Sequence, residues 1–378
     1  MSRGPLKALL REPPDDEAIG QWLDRQQVPI VDPGGATFLF HGAADAVNLR
    51  HWIFGLPSSQ PLEQVPGTRL WHAHLELPPG SRIEYKLEVV SDGTSAWLTD
   101  PRNPALAHDP FGANSVCAAY GYERPAWSLP DPDARPGSLD ELTIESAVFG
   151  DTRRLQLYLP ARFRRSRRYP LLVVHDGSDF LRFADLQTVL DNLIHANEVA
   201  PMIVLMSDPV DRLAEYRGST AHSAFVAEEL LPRAEQEFPL IEAPAARGLL
   251  GASLGAVASL STAWRYPGVF DNLLLQSGSF AFSDIGKHRR DPVFDPVVEL
   301  INAFRADPGR PAARVYQTCG IYESLIYENR SMVPLLQALG IEVRYEEARD
   351  GHHWENWRDR LRAGLSFLFP GPLWFVYE

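Results

Sequence analysis

The chain has 378 residues, 45% of them hydrophobic and 22% charged, and a formal net charge of −13. This is the composition of a globular protein long enough for two domains, and its acidic balance argues against non-specific nucleic-acid binding. Two cysteines, Cys117 and Cys319, are too few for a structural zinc site or a disulfide scaffold and fit a reducing compartment.

The first 30 or so residues are charged and read as helical. The apolar stretch Leu6-Lys7-Ala8-Leu9-Leu10 runs into Arg11-Glu12, too short for a signal-peptide core, so a cytoplasmic protein with no membrane segment is expected. From Ala36 to about Ala119 the pattern is β. Thr37-Phe38-Leu39-Phe40, Leu70 to Leu77 and Ile83 to Val90 are short strands punctuated by Gly and Pro, which predicts a β-sandwich. Residues 125–138 are dense in proline and read as a linker, with the sandwich domain at 1–124 and a second domain at 139–378.

After the linker the period changes. Leu155–Pro160, Tyr169–Val174, Met202–Met206, Asn272–Leu275, Ala313–Tyr316 and Ile341–Tyr345 read as strands, several of them continuously apolar as buried parallel strands are. Phe183–Ala196 and Phe225–Phe238 read as helices between them. This alternation predicts an α/β fold with a mainly parallel sheet.

Within that pattern, Gly251-Ala252-Ser253-Leu254-Gly255 reads G-x-S-x-G between an apolar run and a small-residue helix. In α/β-hydrolases this spacing is a strand-to-helix elbow that presents a serine hydroxyl. A free hydroxyl is a poor nucleophile at neutral pH and needs a base. Asp350-Gly351-His352-His353-Trp354 follows the last predicted strand and offers His352, with His353 as its rival. The imidazole needs an orienting carboxylate, and Glu323 follows the Ala313–Tyr316 strand; Glu328 and Asp350 are competitors. Ser253, Glu323 and His352 then stand in the order serine, acid, histidine. An oxyanion hole is expected from the Leu254 N–H and one N–H of the 175–179 turn, assigned to Ser178. Asp176, Arg212 and Tyr216 are candidates to line the substrate cleft, with loop bracing as the alternative for Arg212 and Tyr216.

Other features have plainer readings. His72 and His74 share one strand face with no third ligand in view, so no metal is expected. Trp52, Trp71 and Trp97 suit either a sandwich core or a sugar-binding platform.

The chain resembles the enterochelin (enterobactin) esterase-like group of the esterase D superfamily. In the second half the resemblance rests on Tyr158-Leu159-Pro160, His175-Asp176-Gly177, Glu229-Leu230-Leu231-Pro232, the elbow, Gln276-Ser277-Gly278-Ser279 and Gly351-His352-His353-Trp354-Glu355-Asn356-Trp357. The last segment is similar to the group's G-H-x-W-x-x-W signature, which implies that His352 is the catalytic histidine. Cys319-Gly320-Ile321-Tyr322-Glu323 is similar to its C-G-x-x-acid segment, which implies Glu323 as the acid, where many members carry Asp. Ile83-Glu84-Tyr85-Lys86, Asp100-Pro101-Arg102-Asn103 and Gly112 to Val116 resemble the immunoglobulin-like domain that these esterases share with starch-branching enzymes. One departure is Ala256, where many relatives carry glycine.

The resemblance implies a serine esterase working through an acyl-enzyme, with no cofactor and a small-molecule ester as its partner. A siderophore (enterobactin-like) lactone is one substrate it implies. Feruloyl or acetyl carbohydrate esters, transfer of the acyl group to an alcohol, and a carbohydrate-binding protein with an inactive hydrolase domain are the alternatives. A homo-oligomer is compatible with each.

Overall fold

The computed structural model describes residues 15–283 and 291–371. They fall into two compact units. The first comprises residues 1–124 with 320–323 and 348–353; the second comprises the remainder.

The first unit opens on the helix Asp16–Leu23, capped by the Asp15 side chain on the Ala18 N–H. The part of the expected N-terminal helix that falls in residues 1–14 lies outside the described residues. Two antiparallel sheets follow. One orders Ile30–Asp32, Gly35–His41, Leu70–Glu76 and Glu63–Gln64; the other is built on Ser59–Pro61, Ala46–His51, Arg82–Ser91, Gly112–Ala118 and Leu106–Asp109, with Thr94–Leu98 paired on Arg82–Ser91. Phe38, Leu49, Trp71, Ile83, Tyr85, Leu87 and Cys117 form their shared core. The sequence reading found three of these ten strands, because most of the others are short and polar, with few apolar positions to set a period of two.

The second unit holds one eight-stranded sheet. Its strands are β1 (Ser138–Ser146), β2 (Asp151–Leu159), β3 (Leu171–His175), β4 (Ile203–Ser207), β5 (Arg247–Ala252), β6 (Asn272–Gln276), β7 (Arg314–Gly320) and β8 (Glu342–Ala348), in the order 1-2-4-3-5-6-7-8. β1 pairs antiparallel with β2 and β2 antiparallel with β4, while β4, β3, β5, β6 and β7 run parallel to one another in succession. The unbroken apolar runs have a simple cause. Leu171, Val173, Leu249 and Leu273 pack in one cluster, and Leu172, Val174, Leu250 and Leu274 pack in another, so both sheet faces are buried.

Three expectations are corrected here. The turn at 175–179 is the end of β3 and the first turn of a helix, α1 (Gly177–Phe183). The expected Phe183–Ala196 helix starts later, as α2 (Leu186–His195), because Asp185 adopts φ 49° and separates the two. The Phe225–Phe238 helix is a π segment, Phe225–Leu230, continued by an α-helix, Leu231–Glu237. Among the described residues no helix is long and apolar enough to cross a membrane.

Candidate active site

The end of β5 turns through Ser253 into α3 (Leu254–Arg265). Ser253 has φ 57° and ψ −119°, a strained geometry for a residue with a side chain. The strain is enforced by packing: a side chain at Gly251 would run into the Gly255 carbonyl oxygen, and one at Gly255 would meet Asp176 Oδ2 and His175 Cβ at 3.3 Å. The Ser253 N–H donates to the Gln276 carbonyl at 2.9 Å, and its Oγ lies 3.2 Å from Ser279 Oγ.

The loop that carries Ser279 is held from below. Asn329, fully buried on α4 (Ile326–Ala338), accepts from the Gly278 N–H and donates to the Gly278 carbonyl at 3.1 and 2.9 Å. The Trp357 indole, on α5 (Trp354–Leu368), donates to Ser277 Oγ at 2.9 Å. Trp354 packs edge-on against Trp357 and Phe180, so the two tryptophans of the G-H-x-W-x-x-W segment are core residues of the second unit. Sequence reasoning missed the Asn329 brace, since a lone asparagine in a helix carries no distinguishing pattern.

The acid and the histidine stand in the first unit. His352 Nδ1 lies 2.7 Å from Glu323 Oε2, with the Glu323 side chain 1% exposed and the imidazole 39% exposed. The other carboxylate oxygen of Glu323 accepts from the Gly320 N–H at 2.7 Å, which fixes its rotamer. The rivals are placed elsewhere. His353 Nδ1 sits 3.4 Å from Glu84 Oε2. Asp350 accepts from the Gly351 N–H and faces Arg82 at 3.4 Å. Glu328 is buried in the first turn of α4.

The 175–179 segment differs from expectation. The Ser178 N–H and hydroxyl both donate to the Asp208 carboxylate, so this amide is committed to a brace. Asp176 is 4% exposed and Tyr216 fully buried, so neither lines a cleft. The Arg212 guanidinium grips both Asp176 oxygens at 2.9 and 2.7 Å, and the Tyr216 hydroxyl accepts from the Asp176 N–H at 3.2 Å. Asp176 needs this support because it adopts φ 56° and burial pushes its carboxyl pKa up, against the lowering effect of Arg212. Arg212 alone of the three keeps substantial exposure, 41% of its side chain. Beneath them His175 is fully buried, with Nδ1 3.0 Å from Ser259 Oγ and 3.2 Å from the Leu250 carbonyl. Burial, and after it the nearby His222, hold the His175 pKa down to about 3, so this histidine is a neutral strut.

The tryptophans also divide. Trp71 is core, while Trp52 and Trp97 are about half exposed. His72 and His74 lie on one strand, and His74 Nδ1 meets Thr37 Oγ1 at 3.1 Å. Among the described residues no group of three His, Cys, Asp or Glu has the geometry of a metal site.

A 1-2-4-3-5-6-7-8 sheet with a strained serine at the β5–α3 elbow defines an α/β-hydrolase. Residues 146–368 match the Esterase family, more than half of the chain; the chain belongs to that family and is a carboxylic ester hydrolase. The iron(III) enterobactin esterase of Dickeya dadantii is 26% identical over 347 residues, covering 82% of this chain and 80% of that one. The enterobactin esterase of Shigella flexneri, crystallised in the presence of enterobactin, superposes with a TM-score of 0.74 at 20% identity over 92% of this chain and 97% of its own. The CE1 ferulic acid esterase of Anaeromyces mucronatus gives a TM-score of 0.54 at 17% identity over 64% and 94%. These structural likenesses show the fold: an all-β unit followed by an α/β-hydrolase.

Proposed function

We propose that the chain hydrolyses its ester through an acyl-enzyme on Ser253, with His352 as general base and Glu323 as the acid that orients it. The observation that carries this reading is the 2.7 Å contact between His352 Nδ1 and a nearly inaccessible Glu323 carboxylate. A carboxylate there fixes the tautomer with the proton on Nδ1 and leaves Nε2 as the base. His352 Nε2 takes the Ser253 proton as Oγ attacks the ester carbonyl. The imidazolium then returns that proton to the leaving alkoxide, which departs as the alcohol. Water repeats the sequence on the acyl-enzyme, with His352 again as base, and releases the carboxylic acid.

The oxyanion would be met by the Leu254 N–H, which opens α3 next to the nucleophile. With the Ser178 amide committed to Asp208, the Gly177 N–H is the donor of the β3–α1 turn assigned to this role. The proposed substrate is a siderophore ester of the enterobactin type, a reading supported by the enterobactin esterase relatives across both units. Feruloyl or acetyl carbohydrate esters form the second reading, supported by the likeness to a ferulic acid esterase fold over 64% of this chain.

The test is hydrolysis of p-nitrophenyl acetate by wild type and Ser253→Ala, with fluorophosphonate labelling of both. The reading stands if the variant loses on the order of a thousandfold in kcat and all labelling. Equal turnover by the two proteins would falsify it.

A further inference from the structure

The sandwich carries a buried ionic network that the chemistry at Ser253 leaves without a role. Arg82 opens the strand Arg82–Ser91, and Glu84 follows on the same face. Both side chains are 3% exposed, and the Arg82 guanidinium meets Glu84 Oε1 at 3.0 Å. Its other arm faces Asp350 Oδ1 at 3.4 Å, with the Asp350 side chain 4% exposed. Glu84 Oε2 accepts from the Asn114 amide at 2.8 Å and lies 3.4 Å from His353 Nδ1. A buried guanidinium with two carboxylates adds little to the stability of a fold, because desolvation offsets most of their attraction. What it does supply is fixed geometry.

That geometry belongs to the histidine loop. Asp350 stands two residues before His352, and its Oδ1, the atom that faces Arg82, also accepts from the Gly351 N–H at 2.7 Å. The Arg82 N–H donates to the Arg349 carbonyl at 2.9 Å. Arg82 therefore holds the loop twice, by its backbone at Arg349 and by its guanidinium at Asp350. The loop needs an outside hold. A Cβ at Gly351 would lie 2.6 Å from His353 Nε2, so crowding keeps a glycine, which adds no stiffness, directly before His352. The acid loop is fastened to the same sandwich. The Phe54 N–H donates to the Tyr322 carbonyl at 2.8 Å, the Tyr322 hydroxyl lies 2.6 Å from Ser81 Oγ, and the Tyr322 ring packs on the sandwich core. The 2.7 Å contact between His352 and Glu323 thus joins two loops that are both held by sandwich residues.

We propose that Arg82 is a positioning residue for the general base: through Asp350 and the Arg349 carbonyl it fixes the loop that aims His352, which makes the sandwich part of the catalytic apparatus. Arg82 acts on no substrate atom. Its whole effect runs through where the imidazole stands, and a shift of about 1 Å there is enough to cost about a hundredfold in rate. The inference rests on the reading of His352 and Glu323 as catalytic.

Kinetics on p-nitrophenyl acetate and one NMR signal test it. In wild type the Nδ1 proton shared by His352 and Glu323 should give a far-downfield proton resonance that is absent from His352→Ala. Arg82→Gln should lower kcat about a hundredfold with KM nearly unchanged, and should broaden or erase that resonance, at a temperature where near-UV circular dichroism shows the variant folded. Arg82→Lys keeps the charge but not the fork and should recover about tenfold of the loss. Asp350→Asn, which keeps an acceptor for the Gly351 N–H, should lose about tenfold, while Arg50→Gln, on the other side of the same sheet, should stay within about twofold. If Arg82→Gln does not fold, Asp350→Asn decides by the same two readouts. Folded variants with kcat within about threefold of wild type, or a loss of kcat that leaves the resonance unchanged, overturn the proposal. Collapse of the fold in both also overturns it, since the network would then serve stability alone. A His352→Ala protein that turns over like wild type would instead strike at the catalytic reading beneath it.

Discussion

His352 Nδ1 and Glu323 Oε2 lie 2.7 Å apart, whereas the adjacent His353 turns its Nδ1 to Glu84 at 3.4 Å. Two neighbouring histidines thus have different carboxylate partners. Glu323 lies three residues past the end of β7, while Glu84 lies in a strand of the sandwich.

His352→Ala is accordingly expected to lose on the order of a thousandfold in kcat, and Glu323→Gln somewhat less, because an amide can still hold the ring but no longer stabilises the imidazolium. His353→Ala should stay within about tenfold of wild type in kcat and show its effect in thermal stability instead, because it removes a partner of buried Glu84. The measurement is steady-state kinetics on p-nitrophenyl acetate alongside melting curves. A His353 variant as dead as the His352 variant would reverse the assignment.

The elbow makes a prediction about two glycines that the motif treats alike. A methyl at Gly251 meets backbone, the Gly255 carbonyl, which cannot move without displacing the start of α3. A methyl at Gly255 meets His175 Cβ and a side-chain oxygen of Asp176 at 3.3 Å, neighbours that need to yield only a few tenths of an ångström. Gly251→Ala is expected to cost on the order of 3 kcal/mol or more and to abolish activity. Gly255→Ala should cost on the order of 1 kcal/mol and keep measurable turnover. Urea unfolding of the two variants separates them, and equal losses would show that the elbow tolerates no distinction.

Much of this site can be read from residue order alone, and the reason is local. An elbow, an acid after a strand and a histidine after the next strand are each set by a few consecutive residues. The apolar runs of β3, β4, β5 and β6 are equally local signals, since burial on both faces demands them. The β3–α1 turn was misread because its structure is decided at a distance. Asp208, thirty residues downstream, captures the Ser178 amide, and Arg212 turns Asp176 inward. Nothing near Asp176 in sequence announces a buried ion pair. The short strands of the sandwich escaped for a related reason: sheet partners far along the chain complete them.

The inward turn of Asp176 changes what Arg212 is expected to do. If the arginine only braces the turn, removing it leaves a nearly inaccessible carboxylate without its bidentate partner. Arg212→Ala should then destabilise on the order of 1–3 kcal/mol, less than breaking a fully buried pair because the guanidinium is partly screened by water. Asp176→Asn with Arg212→Met should recover part of that loss, since no charge is left buried. A fall in activity that tracks melting temperature supports bracing. A variant with wild-type stability and a raised KM would return Arg212 to the substrate cleft.

His175 ties the elbow to acid stability. An unfolded histidine titrates near 6.5, and in the folded chain this one is held down to about 3. Between those values the unfolded chain binds a proton that the folded chain refuses, so acid favours unfolding. Its contribution is complete above about pH 6.5 and is lost as pH falls toward 3, at about 1.4 kcal/mol per unit. Tyr216 and His222 pack against the ring at 5.3 and 5.1 Å, and Arg212 adds positive charge nearby, so protonation would place a cation among groups that cannot neutralise it. Among the carboxylates, Glu215, whose pKa lies at about 2, adds acid sensitivity only below its ordinary value of 4.5, while Asp176, raised by burial, works in the opposite direction. His51 and His72, which burial also holds below the ordinary histidine value, share the window from pH 6.5 to 5, so the part due to His175 is read by comparing wild type with a variant. His175→Asn keeps an amide to reach Ser259 and the Leu250 carbonyl but does not titrate. It should be less stable than wild type at pH 7 and show a flatter fall in urea midpoint between pH 6.5 and 5. An unchanged slope in that variant would place the proton uptake elsewhere in the chain.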